Sequence, residues 1–247
     1  ITGTNPTVAE LNAVAAATTG VVTATISGNI ATLANIVAAA TDAITATVTD
    51  AVTVAELSTL DAKTSVDVIL TGGISDTAAN IAPAGTESAG FTAGTTQDAD
   101  VAVTITGTNP TVAELNAVAA ATDGVVTATI SGNIATLAGL TTAATDAITV
   151  TVTDAMTVAQ FNTLDAKTSV DVILTGGISD TAASYATTAG TATSGLTAID
   201  AQDADVVLTA TDVATVAQVS AMAGATSADI VLTGGISDTA ANIAPAG

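Results

Sequence analysis

The sequence predicts an α/β solenoid of about ten strand–helix coils, one parallel β-sheet lined by short helices. Three observations predict it. The words ITGTNPTVAELNAVAAAT begin at Ile1 and again at Ile105, and TGGISDTAA begins at Thr71 and again at Thr175, both at an offset of 104 residues. Inside that long period Thr7, Asn29, Thr53, Thr77, Thr111, Asn133, Thr157, Thr181, Thr215 and Thr239 fall in one column, spaced 22, 24, 24 and 34 apart, then the same again, then 24. Within each short period the apolar spacing changes from helical to alternating. Periods of this length mean stacked supersecondary units, each burying its apolar face only against its neighbours.

The chain therefore reads as one solenoid over residues 1–247, with super-repeats at about 1–104 and 105–208 and a shortened third at 209–247. The third copy omits two coils, because ISDTAANIAPAG at Ile74 returns verbatim at Ile236. The opening ITGT is strand-like, and the text that follows ISDTAANIAPAG in the first copy runs on beyond it, so the chain is expected to be a mature or excised piece of a longer repetitive polypeptide.

Each coil should begin with a helix. Thr7 with Glu10, Thr53 with Glu56 and Thr111 with Glu114 form capping boxes, in which hydroxyl and carboxylate each satisfy an orphan amide at the helix start; Gln160 and Gln218 stand where they can do the same. Val8, Leu11, Val14 and Ala15 then share one face, and Val54, Leu57 and Leu60 repeat the pattern. A helix of about 12 residues fits the space. Thr19-Gly20, Thr41-Asp42 and Thr64-Ser65 supply the turns.

A strand follows each turn. Val22, Ala24 and Ile26 alternate with Thr23, Thr25 and Ser27, and Ile44, Ala46 and Val48 with Thr45, Thr47 and Thr49. In the third coil Val66, Val68 and Leu70 should point inward and Asp67, Ile69 and Thr71 outward. Strands separated by a helix pair in parallel through right-handed crossovers. Every fourth coil departs from the rule: APAGTESAGFTAGTTQ and ATTAGTATSGLTAIDAQ precede strands at 101–106 and 206–211. Their Gly and Thr content predicts a shortened or replaced helix and a loop that carries Phe91 in one copy and Leu196 in the other, placed to cover the core.

Composition narrows the role. A net charge of −21, with Lys63 and Lys167 as the basic side chains and no Arg, opposes binding to nucleic acid or to anionic lipid and makes cations the natural partners. The apolar content of 49% includes few aromatics, so the core is thin and built of small side chains. No apolar run is long enough to span a membrane, and the opening residues are not expected to act as a signal peptide. Without Cys or His, thiolate sites, triads and imidazole chemistry drop out. Missing Cys and scarce Lys suit a protein exposed to proteases outside the cell.

The phrases TVAEL, SDTAANI and VDVILTGG, spread over nearly all ten coils, resemble the degenerate repeats of large repetitive bacterial surface proteins of the adhesin or filament type, found also in cyanobacteria. That resemblance implies an extracellular or cell-surface structural or adhesive role and carries over no catalytic residues. Gly72-Gly73-Ile74-Ser75-Asp76 has the paired glycines of the calcium-binding nonapeptide pattern of related secreted proteins but not its repeat.

The candidate site residues are acidic. Asp98 with Asp100, and Asp203 with Asp205, form Asp-Ala-Asp pairs at strand entrances, where both side chains share a face. A glycosidase pair would need a cleft with aromatic sugar platforms, which this composition does not supply. The same pairs, with Asp67, Asp171 and Asp229 on outer strand positions, could take Ca²⁺, a hard cation suited to carboxylate oxygens. The Thr columns at 23 and 25, 45 and 47, 127 and 129, and 149 and 151 suggest a rival role as an ice-binding or adhesive face. The role expected here is not enzymatic: a structural segment that forms a rod, filament, stalk or surface layer, self-associating end to end or laterally, with divalent cations as a possible cofactor.

Overall fold

In the computed structural model, residues 1, 5–107 and 109–244 are described. The strand-like reading of the opening ITGT and the final Ala-Gly lie outside the described residues. The protein is mixed α/β with parallel sheets, and it divides into two compact units, Ile1–Ala128 and Thr129–Gly247.

The first unit runs α1 (Val8–Ala17), β1 (Thr23–Gly28), α2 (Ile30–Leu33), β2 (Ala43–Val48), α3 (Val54–Asp61), β3 (Ile69–Leu70), β4 (Ile74–Thr77), α4 (Ala78–Ile81), a 3₁₀ turn (Pro83–Gly85), α5 (Ala89–Gln97), β5 (Val103–Thr106) and α6 (Val112–Ala121). The division falls within β6 (Val126–Gly132). The second unit continues with α7 (Ile134–Leu137), β7 (Ala147–Val152), α8 (Val158–Asp165), β8 (Ile173–Leu174), β9 (Ile178–Asp180), α9 (Ala182–Tyr185), α10 (Ser194–Gln202), β10 (Leu208–Ala210), α11 (Val216–Ala225), β11 (Ile230–Leu232) and α12 (Ala240–Ile243).

All ten residues of the predicted column are helix N-caps. The five capping boxes close, each hydroxyl accepting from the N3 amide while the Glu or Gln side chain accepts from the cap amide. Successive strands pair in parallel: Thr23↔Ala43 through Gly28↔Val48 in β1–β2, and Ile74↔Val103 through Thr77↔Thr106 in β4–β5. Alternation holds in the first two strands, with Val22, Ala24, Ile26, Ile44, Ala46 and Val48 buried, as are Leu11, Leu33 and Leu57 of the helices.

Four expectations are corrected. The helices are not uniformly about 12 residues: the capping-box helices have 8 to 10, while those capped by Asn29, Thr77, Asn133, Thr181 and Thr239 are single turns of 4. In α2 the turn stops where Asn35 Nδ2 donates back to the Ala31 carbonyl and Lys63 Nζ donates to the carbonyls of Ala34 and Ile36, which ends the helix from outside.

The Gly/Thr-rich insertions are helices rather than loops. α5 and α10 each have 9 residues, and both Phe91 and Leu196 are fully buried. Their small residues allow close approach: a Cβ on Gly90 would lie 2.6 Å from a Val54 methyl, and one on Gly94 2.8 Å from a Leu57 methyl. Packing against α3 overrides the low helix propensity of AGFTAGTTQ.

Val66 and Val14, expected inward, are exposed. Val66 lies ahead of the two-residue strand β3, so the alternation has not begun there; Val68 and Leu70 are buried as expected.

Each unit, finally, holds more than one sheet instead of a single continuous one. β1-β2-β3 and the β4-β5 pair are separate in the first unit, and β9-β10-β11 is separate from β7-β8 in the second. The breaks fall at Gly72-Gly73 and Gly176-Gly177, where the second glycine takes φ +75° and +74° and turns the chain, so that Ile74 and Ile178 bridge to Val52 and Met156.

Candidate functional site

The strand-end acidic residues are used in two ways, and the first was missed by sequence reasoning. Asp50 accepts from the amide of Ile30 at 2.8 Å, Asp76 from Val54 at 3.1 Å, Asp154 from Ile134 at 2.7 Å, Asp180 from Val158 at 3.0 Å, Asp212 from Ala182 at 2.6 Å and Asp238 from Val216 at 3.1 Å. Each carboxylate among these six thus satisfies the first amide of an earlier helix, one of the four orphan donors that an N-terminus leaves. Asp42 does similar work in a turn, accepting from Val22 at 2.7 Å and Ala39 at 2.9 Å while buried. These carboxylates fasten one sequence repeat to another. The recurring Asp at the end of VTD and ISD was visible in the sequence, but its donor lies about 20 residues back, in another coil.

The second use is the paired carboxylates. Asp98 caps the C-terminus of α5, its amide donating to the Gly94 carbonyl, and Asp203 does the same on α10 toward Ile199. The structure brings Asp98 to Asp100 and Asp203 to Asp205 at a helix C-cap and the turn after it, ahead of the strands rather than on a strand face. Partial burial, then the facing carboxyl's hydrogen bond and charge, push Asp98 above the usual carboxylate value; amides of Asp100 and Leu70 oppose this. Asp203 is raised in the same way by burial and Asp205, against amides of Asp205 and Leu174. Asp67 lines the same groove as Asp98, and Asp171 the same groove as Asp203 and Asp205, whose volume is about 720 Å³. Asp229 stands apart from both grooves in the third copy, just before β11.

Two glutamines hold these sites in place. Gln97 Nε2 donates to Asp61 Oδ1 at 2.6 Å while its Oε1 accepts from the Val68 amide at 2.8 Å. Gln202 does the same between Asp165 and Val172. The only sequence signal was a Gln directly before each Asp-Ala-Asp.

Chemically, such a pair can share a proton or a divalent cation. Among the described residues no three His, Cys, Asp or Glu side chains gather closely enough to hold a metal, so a cation here would take two carboxylates and complete its six to eight ligands from other oxygens. Among the described residues no helix is long and apolar enough to cross a membrane.

The raised pair makes pH dependence a test. Its contribution to stability is fully present below the ordinary Asp value of 3.8 and is lost as pH rises through the raised value. Glu10 and Glu114, held by Thr7 and Thr111, and Asp238, held by Asn242 and Thr239, are lowered; their contribution is present above the ordinary values and is lost as pH falls through the lowered ones. Stability should therefore rise as pH falls through the raised values of Asp98 and Asp203 and decline once pH falls through the lowered values of Glu10, Glu114 and Asp238, with relief of the −21 charge acting in the same direction on the rise. Thermal melts across pH check this, and the double variant Asp98→Asn, Asp203→Asn should flatten the climb. Calcium held between the carboxylates would displace the shared proton, so the same melts in calcium and in chelator show whether the pair takes the ion.

Comparison with protein-family models, with curated proteins and with solved structures found no match.

Proposed function

We propose that this chain is a passive building element: an α/β solenoid whose coils stack to form part of an extracellular or cell-surface rod, filament, stalk or layer. The observation that carries the reading is the Asp column, in which the strand end of one coil caps the helix of the coil before it. A fastening repeated at offsets of 20 to 22 residues is what a chain built of successive stacked laps would use to hold one lap to the next. Threonine hydroxyls repeat the device: Thr64 donates to the Ile44 carbonyl at 2.8 Å, Thr71 to Val48 at 2.7 Å and Thr175 to Val152 at 2.7 Å. The scarcity of Lys, the absence of Cys and the resemblance of its repeats to surface proteins support a place outside the cell.

One observation favours the adhesive or ice-binding reading as a second choice. Thr25 pairs with Thr45 and Ser27 with Thr47 in β1–β2, so the hydroxyls of neighbouring coils stand in register. The next strand brings Ile69 beside Thr47, which interrupts the column after two coils. Small-angle scattering from the monomeric chain should give a slender particle with the cross-section of one coil. A compact particle would remove the stacked-coil reading, and thermal hysteresis or saturable glycan binding by the monomer would favour the second.

A further inference from the structure

The word DAKT occurs at 61–64 and again at 165–168, and it carries the basic side chains of the chain. The two lysines are used differently. Lys63 Nζ donates to the carbonyls of Ala34 and Ile36 at 2.9 and 2.6 Å. At Lys167 the backbone is tied down, its amide donating to the Leu164 carbonyl at 2.9 Å and its carbonyl accepting from Thr142 Oγ1 at 2.6 Å. The half-buried side chain, however, ends in an ammonium that has neither hydrogen bond nor ion pair among the described residues. A second change accompanies this one. The capping-box residue of α3 is Glu56, and its counterpart on α8 is Gln160, so a neutral amide stands where the first unit has a carboxylate.

Both residues line one groove, which lies within the second unit between α7 and α8 and has a volume of about 190 Å³. The leucines that line it, Leu137, Leu140 and Leu164, are buried core residues. No Asp or Glu lines the groove, although the chain has 23 of them. An apolar slot of this size falls below the roughly 300–1,000 Å³ of pockets that hold drug-sized ligands, so it suits a single alkyl chain. Lys167 is a cationic donor without an acceptor, and its partner of choice is a carboxylate, through a charge-assisted hydrogen bond. Gln160 stands about two turns earlier along α8 and keeps the rest of the rim free of negative charge.

We propose that this groove binds a free, unbranched, short-chain carboxylate, with the alkyl chain against Leu137, Leu140 and Leu164 and the carboxylate on Lys167 Nζ. The site needs only α7 packed on α8 and is independent of the stacked-coil reading above. Affinity is low, because a net charge of −21 opposes any anion: a Kd of about 1 mM is expected for a six-carbon chain. It should tighten about fourfold for each methylene added, until the groove is filled, and then level off. At the equivalent place in the first unit Lys63 is already engaged and Glu56 repels, so binding there should be at least about tenfold weaker.

Methyl NMR on the full chain, near neutral pH and at physiological salt, tests this with butanoate, hexanoate, octanoate, hexanol and hexylamine as probes. Hexanoate should shift the methyls of Leu137, Leu140 and Leu164 saturably and leave those of Leu33, Ile36 and Leu60 in place. Hexanol should bind about tenfold more weakly, and hexylamine more weakly still. Lys167→Met keeps the unbranched stem; it should bring hexanoate down to the level of hexanol and leave hexanol unchanged. Gln160→Glu, at an exposed position, should weaken hexanoate about threefold through repulsion across the groove, and Lys63→Met should change nothing. The proposal is overturned if those leucine methyls show no saturable shift, if hexanol or hexylamine binds as tightly as hexanoate, if Lys167→Met holds hexanoate as wild type does, or if the first unit's methyls respond at the same concentrations.

Discussion

Alanine at Gly72 or at Gly176 should destabilise the unit that carries it by about 3 kcal/mol or more. A Cβ on Gly72 would stand 2.1 Å from the carbonyl carbon and oxygen of Asp50, and one on Gly176 equally close to those of Asp154. The obstacle is backbone of the preceding coil, so no side chain can rotate away. Moving that backbone would stretch the Gly72 amide from the Val48 carbonyl, already at 3.3 Å, and draw Asp50 off the Ile30 amide. The clash therefore acts on the fastening between coils. Gly28→Ala is the control: its nearest contacts are Leu33 side-chain atoms at 3.8 Å, and it should change stability by less than about 1 kcal/mol. Chemical denaturation followed by circular dichroism reads both. A Gly72→Ala protein as stable as wild type would mean that the coils do not approach as described.

The second large effect is expected at Phe161. It is fully buried on α8, and truncation to alanine should cost about 3–5 kcal/mol through lost transfer energy and the cavity left behind. The chain contains its own control, since Leu57 holds the equivalent place on α3 and is buried too. Phe161→Leu should therefore cost below about 1.5 kcal/mol. If Phe161→Ala melted within about 1 kcal/mol of wild type, α8 could not be part of the core.

How much of this was legible can be judged residue by residue. The N-cap column was, because a cap is a local event: Thr7 and Glu10 are three residues apart and close a box with no help from elsewhere. The inward side of β1 and β2 was legible for the same reason, since alternation fixes a strand's faces once one of them is apolar. The helical state of residues 89–97 was not, because AGFTAGTTQ has poor intrinsic propensity and becomes helical by lying on α3. The Asp pairs were found, but the upward shift of Asp98 and Asp203 depends on partial burial and on the facing carboxyl, which only the folded chain sets. Gln97 and Gln202 were overlooked because Asp61 and Asp165 lie 36 and 37 residues away.

By itself the amino-acid order determined the periodicity, the positions at which helices start, the alternating faces of the longer strands and the parallel sense of their pairing. These follow from interactions within a few residues or from the geometry of a strand–helix–strand lap. Only the tertiary structure decided which carboxylates fasten coils and which face one another, where the sheets break, and why the lysine of one DAKT is hydrogen-bonded while its twin is free. Those outcomes depend on which backbone group or apolar side chain the neighbouring coil brings near, and identical words cannot carry that difference.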